Sequence, residues 1–312
     1  MATDLTSTAH PYRAEAEAWV AASVPNVGNL ELEQTEPWAS VYRATAVDGE
    51  TVWFKACAPH QAFEVPLTAS LSVRWPTTVT HVLAHDVDRR WLLMTDAGES
   101  FRNLGNPPER WLEVLPAYAR LQAGETDRVA DHLEAGVPDL RLTKLPERYD
   151  DLLAAELPLV PDELATLAAF RPRFADLCAG LDGYGIESTV QHDDLHMNNV
   201  FVRDDELRVL DWGDASISHP FFSLFETFRF LIEMNHLDPG DPWFGRLRDE
   251  YLEPWGPGHV ETFELAQRIA GLARSIAWLD QREALPAKDR PDFDEGFAGM
   301  LRMGLGSAVG ST

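Results

Sequence analysis

The sequence predicts an α+β fold in two lobes, a β-rich first lobe over residues 1–97 and a mostly helical second lobe over residues 98–312. Up to Ala97 the apolar residues come in short alternating runs separated by turn signals. From Gly98 onward they recur at the i, i+3, i+4 spacing of amphipathic helices. Between residues 189 and 211 β-type runs return briefly and frame a dense polar string, His192-Asp193-Asp194-Leu195-His196-Met197-Asn198-Asn199. Strands first and helices afterwards is the order of a fold whose sheet and helices are segregated.

In the first lobe, Ser40–Val47 alternates well enough for a strand, Asp48-Gly49 is a hairpin signal, and Thr51–Ala56 is the return strand. Thr78–Asp86 and Trp91–Thr95 offer two further strands. A helix is expected between them near Ala62–Leu71, where Pro66 is tolerable only in the first turn. In the second lobe, Trp111, Leu112, Leu115, Tyr118, Ala119 and Gln122 mark one helix face, with Pro116 inside it. Leu164–Leu181, Phe222–Met234 and His259–Leu279 read as further helices, and the small, polar Gly306–Thr312 as a frayed tail.

Bulk properties narrow the function classes. A formal charge of −25 over 312 residues repels nucleic acid and favours a cationic small molecule, although such acidity also serves solubility. Residues 1–97 carry 6 basic and 12 acidic side chains against 20 and 39 thereafter, so the acidity is spread over both lobes. No apolar run approaches the ~20 residues of a membrane span. Met1-Ala2-Thr3-Asp4 lacks a basic and apolar leader, which leads to the expectation of a cytoplasmic protein. Cys57 and Cys178 are too isolated for a metal or redox motif and read as small buried hydrophobes. No pattern specifies an oligomeric state.

The polar string carries the chemistry. It reads H-x-D-x-x-x-x-N, and Asp211-Trp212-Gly213 follows twelve residues after Asn199. Thr189–His192 is a short strand candidate. Val200–Val202 and Leu207–Leu210 form a hairpin around Asp204-Asp205, which brings Asn199 and Asp211 close together. Phosphoryl transfer needs this grouping: one carboxylate to orient a hydroxyl, and an Asn with a second carboxylate to hold magnesium. Lys55 lies in the apolar strand Val52–Cys57, one of only three lysines in the chain, and a buried ammonium requires an anionic partner.

On these residues the chain resembles the aminoglycoside phosphotransferase and choline kinase superfamily, small-molecule relatives of the protein kinases. The usual loop of that superfamily is H-G-D-L-H-x-x-N; here His192, Asp194, Leu195, His196 and Asn199 match, and Asp193 replaces the Gly. The second His separates this branch from protein kinases, and the resemblance runs from about Trp38 to about Trp278. It implies a two-lobed kinase-like fold and the use of ATP or GTP with Mg2+. Asp194 then orients the acceptor hydroxyl and takes its proton. Asn199 and Asp211 hold the metal, and Lys55, oriented by Glu64, holds the phosphates. Ser40 stands in a phosphate-covering turn that lacks glycine. Met94 flanks the base, whose edge bonds backbone groups of Thr95, Asp96 and Ala97. His192 and His196 brace the loop; a zinc site from His192, Asp194 and His196 is the alternative. Ser218 and Ser223 depart from the family's G-x-P-x-x-D-L segment at its Gly and Asp, which predicts a local rearrangement.

The acceptor is less legible. Asp193, Asp214, Glu226 and Asp280 are candidates to meet it, with Glu233 and Glu283 and the late tryptophans Trp243, Trp255 and Trp278 as further cation-binding surface. Acidity and aromatics together favour a cationic hydroxyl acceptor such as an aminoglycoside or other antibiotic. A metabolic amino alcohol or sugar, and a nucleotide-binding pseudokinase scaffold, are the alternatives.

Overall fold

The computed structural model describes residues 11–309. In chain order the elements begin α1 (Pro11–Ser23), β1 (Glu31–Glu36), β2 (Ala39–Thr45), β3 (Thr51–Cys57), α2 (Glu64–Arg74), β4 (Val82–Asp86), β5 (Trp91–Thr95) and β6 (Glu99–Ser100). They continue as α3 (Trp111–Gly124), α4 (Val129–Glu134), α5 (Leu145–Ala154), α6 (Pro161–Asp182), β7 (Thr189–Gln191), β8 (Val200–Arg203), β9 (Glu206–Val209) and β10 (Ser216–Ser218). The last four are α7 (Leu224–Asn235), α8 (Pro242–Leu252), α9 (Val260–Ala284) and α10 (Arg290–Val309). A β-sheet region is thus followed by a helical one, as in protein-kinase-like folds.

The chain forms two units: Met1–Asn103 with Asn198–Gly213, and Leu104–Met197 with Asp214–Thr312. This division differs from a simple break after Ala97. The hairpin β8–β9 joins the first unit because β8 pairs with β6, Glu99 opposite Val202 and Ser100 opposite Phe201. Gly98 permits that approach. Its φ is +87°, and a Cβ there would lie 2.2 Å from the Val202 carbonyl oxygen.

The first unit is built on an antiparallel sheet in the order β1-β2-β3-β5-β4. Alternation along β3 turns Val52 and Phe54 into an apolar cluster with Ala16 and Val20 of α1 and with Trp91 and Leu93. The other face carries Lys55 and Cys57, and Cys57 packs with Val65 of α2, Leu92 and Met94. Pro66 falls in the first turn of α2, where its missing N–H costs nothing. Strand β1 escapes a hydrophobicity reading because ELEQTE has no apolar face; it is an exposed edge strand with a bulge between Leu32 and Gln34, and charge on an edge discourages further pairing. The expected strand from Thr78 begins only at Val82, and Val79 makes a single bridge to Val209.

The second unit is helical apart from the pair β7–β10. Helix α3 runs through Pro116 and α6 through Pro172 without ending. Helix α10 runs to Val309, so Gly306–Val309 is helical rather than frayed, because Phe297, Met300, Leu301, Gly304 and Ala308 supply a buried face. Residues 310–312 of that expected tail, and Met1–Asp4, lie outside the described residues. At the crossing of α9 and α10, Gly271 and Gly304 touch backbone to backbone: a Cβ on Gly304 would lie 2.6 Å from the Gly271 carbonyl carbon. No helix among the described residues is long and apolar enough to cross a membrane.

Candidate active site

Lys55, Glu64 and Asp211 meet in the first unit. The Lys55 ammonium donates to Glu64 Oε1 and to Asp211 Oδ1, both at 2.7 Å. Lys55 and Glu64 are almost fully buried, while half of the Asp211 side chain is exposed. Burial alone would lower the Lys55 pKa, but Asp211 and Glu64 outweigh it and raise it well above the ordinary lysine range. The Cys57 thiol donates to the other Glu64 oxygen at 3.3 Å, and burial beside that carboxylate pushes its pKa up.

The hairpin delivers Asp211. Asp204 and Asp205 turn the chain with φ of +52° and +61°, and Leu210 N–H donates to Asn199 C=O at 2.9 Å, which closes the ladder between the two metal-ligand candidates. Asp211 itself has φ +64°, a left-handed conformation that Asp tolerates better than most side chains. Two positions on, the buried Gln61 amide lies against Gly213; a Cβ there would lie 2.8 Å from Gln61 Oε1.

The other nucleotide candidates also belong to the first unit. Ser40 is buried in β2, with its Oγ 3.4 Å from Thr35 Oγ1. Met94 packs in the apolar cluster under α2. Thr95 N–H is already given to His81 C=O at 3.0 Å. Asp96 accepts the Trp53 indole N–H at 2.9 Å, and its carbonyl accepts from Arg203 at 3.3 Å. Ala97 is buried.

The catalytic-loop candidates gather in the second unit around a residue that sequence reasoning missed. Arg274 of α9, 3% exposed, donates from Nη2 to Asp194 Oδ1 at 2.5 Å. Its Nη2 lies 3.5 Å from Asp214 Oδ2, its Nε lies 3.2 Å from Glu226 Oε1, and its guanidinium stands 4.8 Å from the Trp278 ring centre. His196 Nε2 is 3.1 Å from Asp194 Oδ2, and the imidazole stacks on Phe230 at 4.1 Å. Within the loop, Asp194 N–H donates to His192 Nδ1 at 3.3 Å, and His192 N–H donates to Tyr118 Oη at 2.9 Å. Burial would raise the Asp194 pKa, but Arg274 and His196 hold it well below the usual carboxylate range.

Asp193 turns inward. Its φ of +61° is the conformation a Gly would take at low cost, and Asp accepts it. Its carboxylate accepts from Gln191 Nε2 at 2.5 Å and from the Ser216 hydroxyl. Burial pushes its pKa up to about 6, against the opposing pull of Arg274. Ser223 lies in a buried network: its Oγ donates to Gln191 Oε1 at 3.2 Å, accepts from Gln122 Nε2 at 3.1 Å, and lies 3.0 Å from Tyr118 Oη.

The acceptor candidates divide. Asp214 accepts from Gln281 Nε2 at 2.6 Å, and the fully buried Glu226 accepts from Arg229 Nη2 at 2.5 Å, so both join the Arg274 group. Asp280 does not: it is an exposed partner of Arg148 at 2.5 Å. Trp243 lies under Arg246 and Trp255 packs edge-on against Phe221. A signal for Arg274 was present in the sequence. Ala266, Ala270 and Arg274 follow at i+4 spacing on the buried face of α9, and an Arg there requires a carboxylate partner. Identifying that partner requires the fold.

The donor set fits magnesium and a nucleotide triphosphate. Asp211 and Asn199 carry hard oxygen donors, and the buried Lys55 beside Asp211 offers a cation to phosphate oxygens. Among the described residues no group of three or more His, Cys, Asp or Glu could hold a metal, so His192, Asp194 and His196 form no zinc site. Mg2+ needs no such cage, since phosphates and water supply its remaining ligands.

Residues 40–262 match the family model described as the phosphotransferase enzyme family. No curated protein sequence matches the chain. Among solved structures, choline kinase from Cryptosporidium parvum Iowa II aligns with TM-score 0.65 at 13% identity, over 94% of this chain and 95% of that one. A choline/ethanolamine kinase family protein from Mesorhizobium loti aligns with TM-score 0.62 at 16% identity, over 95% and 98%. Macrolide 2'-phosphotransferase MphH from Brachybacterium faecium aligns with TM-score 0.58 at 15% identity, over 97% and 99%. At such identities the likeness establishes the fold.

Proposed function

The chain belongs to the phosphotransferase enzyme family, and from that premise we propose that it transfers the γ-phosphoryl group of ATP or GTP to a hydroxyl of a small, cationic molecule. The observation that carries the reading is Lys55, a buried ammonium fixed at 2.7 Å by both Glu64 and Asp211. A buried cation fits phosphate oxygens, and the half-exposed Asp211 beside it supports its reading as a metal ligand.

In this reading Lys55 binds the nucleotide phosphates and Glu64 orients it. Asn199 and Asp211 hold Mg2+, which when bound supplies charge that neutralises the phosphate oxygens. Asp194 accepts a hydrogen bond from the acceptor hydroxyl and aims its oxygen at the γ-phosphorus. The oxygen–phosphorus bond forms as the bond from γ-phosphorus to the leaving diphosphate breaks. The hydroxyl proton passes to Asp194 late and then to solvent. Its depressed pKa makes Asp194 a weak base, which suits a loose transition state in which positioning matters more than basicity.

The cationic acceptor is supported by charge. The second-unit cluster holds Asp193, Asp194, Asp214, Glu226 and Glu233 against Arg274 and Arg229, and the whole chain carries −25. An aminoglycoside-like or other basic antibiotic fits this chemistry. A metabolic amino alcohol is the second reading, favoured by the choline kinases among the matched structures. A pseudokinase scaffold is disfavoured because Lys55, Glu64, Asp194, Asn199 and Asp211 are all present.

The deciding experiment measures ADP release from MgATP with a panel of aminoglycosides, basic peptide antibiotics, macrolides, amino alcohols and sugars, with the Asp194→Ala protein alongside. Acceptor-dependent release that vanishes in the variant is expected. Release that persists in Asp194→Ala, or that no acceptor stimulates, would sink the proposal.

A further inference from the structure

Resting on that phosphotransferase reading, we infer that Arg274 is the positioning residue of the catalytic carboxylate: it holds one oxygen of Asp194, and the buried Glu226 holds Arg274 in turn. Asp194 presents two oxygens. Oδ1 is held by Arg274 Nη2 at 2.5 Å, and Oδ2 lies 3.1 Å from His196 Nε2. With a partner on each oxygen, rotating the carboxylate plane breaks at least one of the two contacts. Its side chain stays 24% exposed, which leaves a face for the acceptor hydroxyl.

Arg274 is itself fixed from several sides. Glu226 of α7 lies at its Nε and Asp214 at its Nη2, while Trp278, one turn further along α9, covers the guanidinium face. Glu226 is in turn held by Arg229. The charged and titratable groups around the pair are therefore His192, Asp193 and His196 from the loop, Asp214 from the following turn, and Glu226 with Arg229 from α7. Helix α9 is seated one turn earlier by the contact of Gly271 with Gly304 of α10.

Stability alone is a poor account of this residue. Burying a guanidinium is costly, and neither Nε nor Nη1 of Arg274 makes a hydrogen bond among the described residues, so Glu226 acts on Nε as an ion pair at 3.2 Å. An apolar pairing of similar volume would fill the same space without that cost. What only an arginine provides is a planar fork that grips Asp194 on one side and reaches Glu226 on the other.

The test compares Arg274→Gln, Arg274→Lys and Asp194→Asn with the double variant Asp194→Asn/Arg274→Gln. Arg274→Gln should lower kcat about 100-fold with KM for ATP within about threefold, since misplacing a catalytic group by ~1 Å costs that much. Arg274→Lys should recover part of the loss. In the Asp194→Asn background, Arg274→Gln should change residual turnover less than twofold, because both act through one group. Hydrogen exchange of the loop peptide spanning residues 192–197 reads positioning without any acceptor. Its protection should fall in Arg274→Gln while the melting temperature of Arg274→Lys stays near wild type. Independent, multiplicative effects of the two substitutions, or unchanged loop exchange in a folded Arg274→Gln protein, would overturn the inference. A wild-type protein with no turnover would count against the phosphotransferase proposal, and the exchange measurement would still decide this one.

Discussion

Lys55 Nζ and Asp211 Oδ1, 156 positions apart in the chain, are joined by a 2.7 Å hydrogen bond inside one structural unit. The contact exists because β8 adds to β6, so the hairpin carrying Asn199 and Asp211 becomes part of the unit that holds the Lys55 strand. Glu64 completes the arrangement from the first turn of α2.

Removing the cation from that group should cost stability as well as nucleotide affinity. Lys55→Met leaves Glu64 buried without its counter-charge, a loss of about 3 kcal/mol by urea denaturation. Adding Glu64→Gln should restore at least half of it, while MgATP binding stays weak in both. Equal instability of the single and double variants would show that the pair is not coupled.

Asp194 and Asp211 should separate turnover from binding. Asp194→Asn is expected to lower kcat by about a thousandfold with MgATP affinity within about threefold, whereas Asp211→Asn should lose Mg2+-dependent nucleotide binding. Titration calorimetry with and without Mg2+ distinguishes them. The assignment of roles fails if Asp194→Asn binds MgATP as poorly as Asp211→Asn.

Asp193 makes stability depend on pH in a specific direction. Burial raises its folded pKa to about 6. The folded state therefore holds that proton more tightly than the unfolded chain, whose carboxyl titrates near ~3.9. Its contribution is complete below pH ~4 and is lost as pH rises through about 6. Asp193→Asn, which also tolerates a positive φ, should flatten the stability profile between pH 4 and 7.5 by about 2 kcal/mol. Parallel profiles for the two proteins would contradict the burial argument.

The α9–α10 crossing should tolerate no added methyl group. Gly304→Ala drives a Cβ into the backbone at Gly271 and Leu272, with distances of 2.6 Å to atoms that cannot rotate away. A loss of about 2 kcal/mol is expected, since overpacking of this kind costs 1–3. Because Arg274 lies one turn beyond Gly271, kcat should fall as well. Gly306→Ala, on the same helix with nothing within 4 Å, is the control and should be neutral or slightly stabilising.

The sequence by itself determined the elements whose pattern is local. Period-2 runs around Asp48-Gly49 became β2 and β3, the runs around Asp204-Asp205 became β8 and β9, and apolar periodicity placed α3, α6, α7 and α9 to within a few residues. The polar string marked the chemistry because strand-type residues bracket it on both sides. Helices α1, α4, α5, α8 and α10 went unread, although α10 carries Phe297, Met300, Leu301, Gly304 and Ala308 at helical spacing; the charged edge strand β1 was not legible because it has no apolar face.

Only the tertiary structure decided how those side chains meet. It returned Asn198–Gly213 to the first unit, turned Asp193 inward to Ser216 and Gln191, and set Ser223 in a network with Gln122 and Tyr118. It also set Arg274 against Asp194, 80 positions earlier. The physical reason is common to all of these. Local periodicity reports which face of an element is buried, whereas a buried charge or hydrogen bond is satisfied by whichever partner the fold delivers, and that partner leaves no mark on the local sequence.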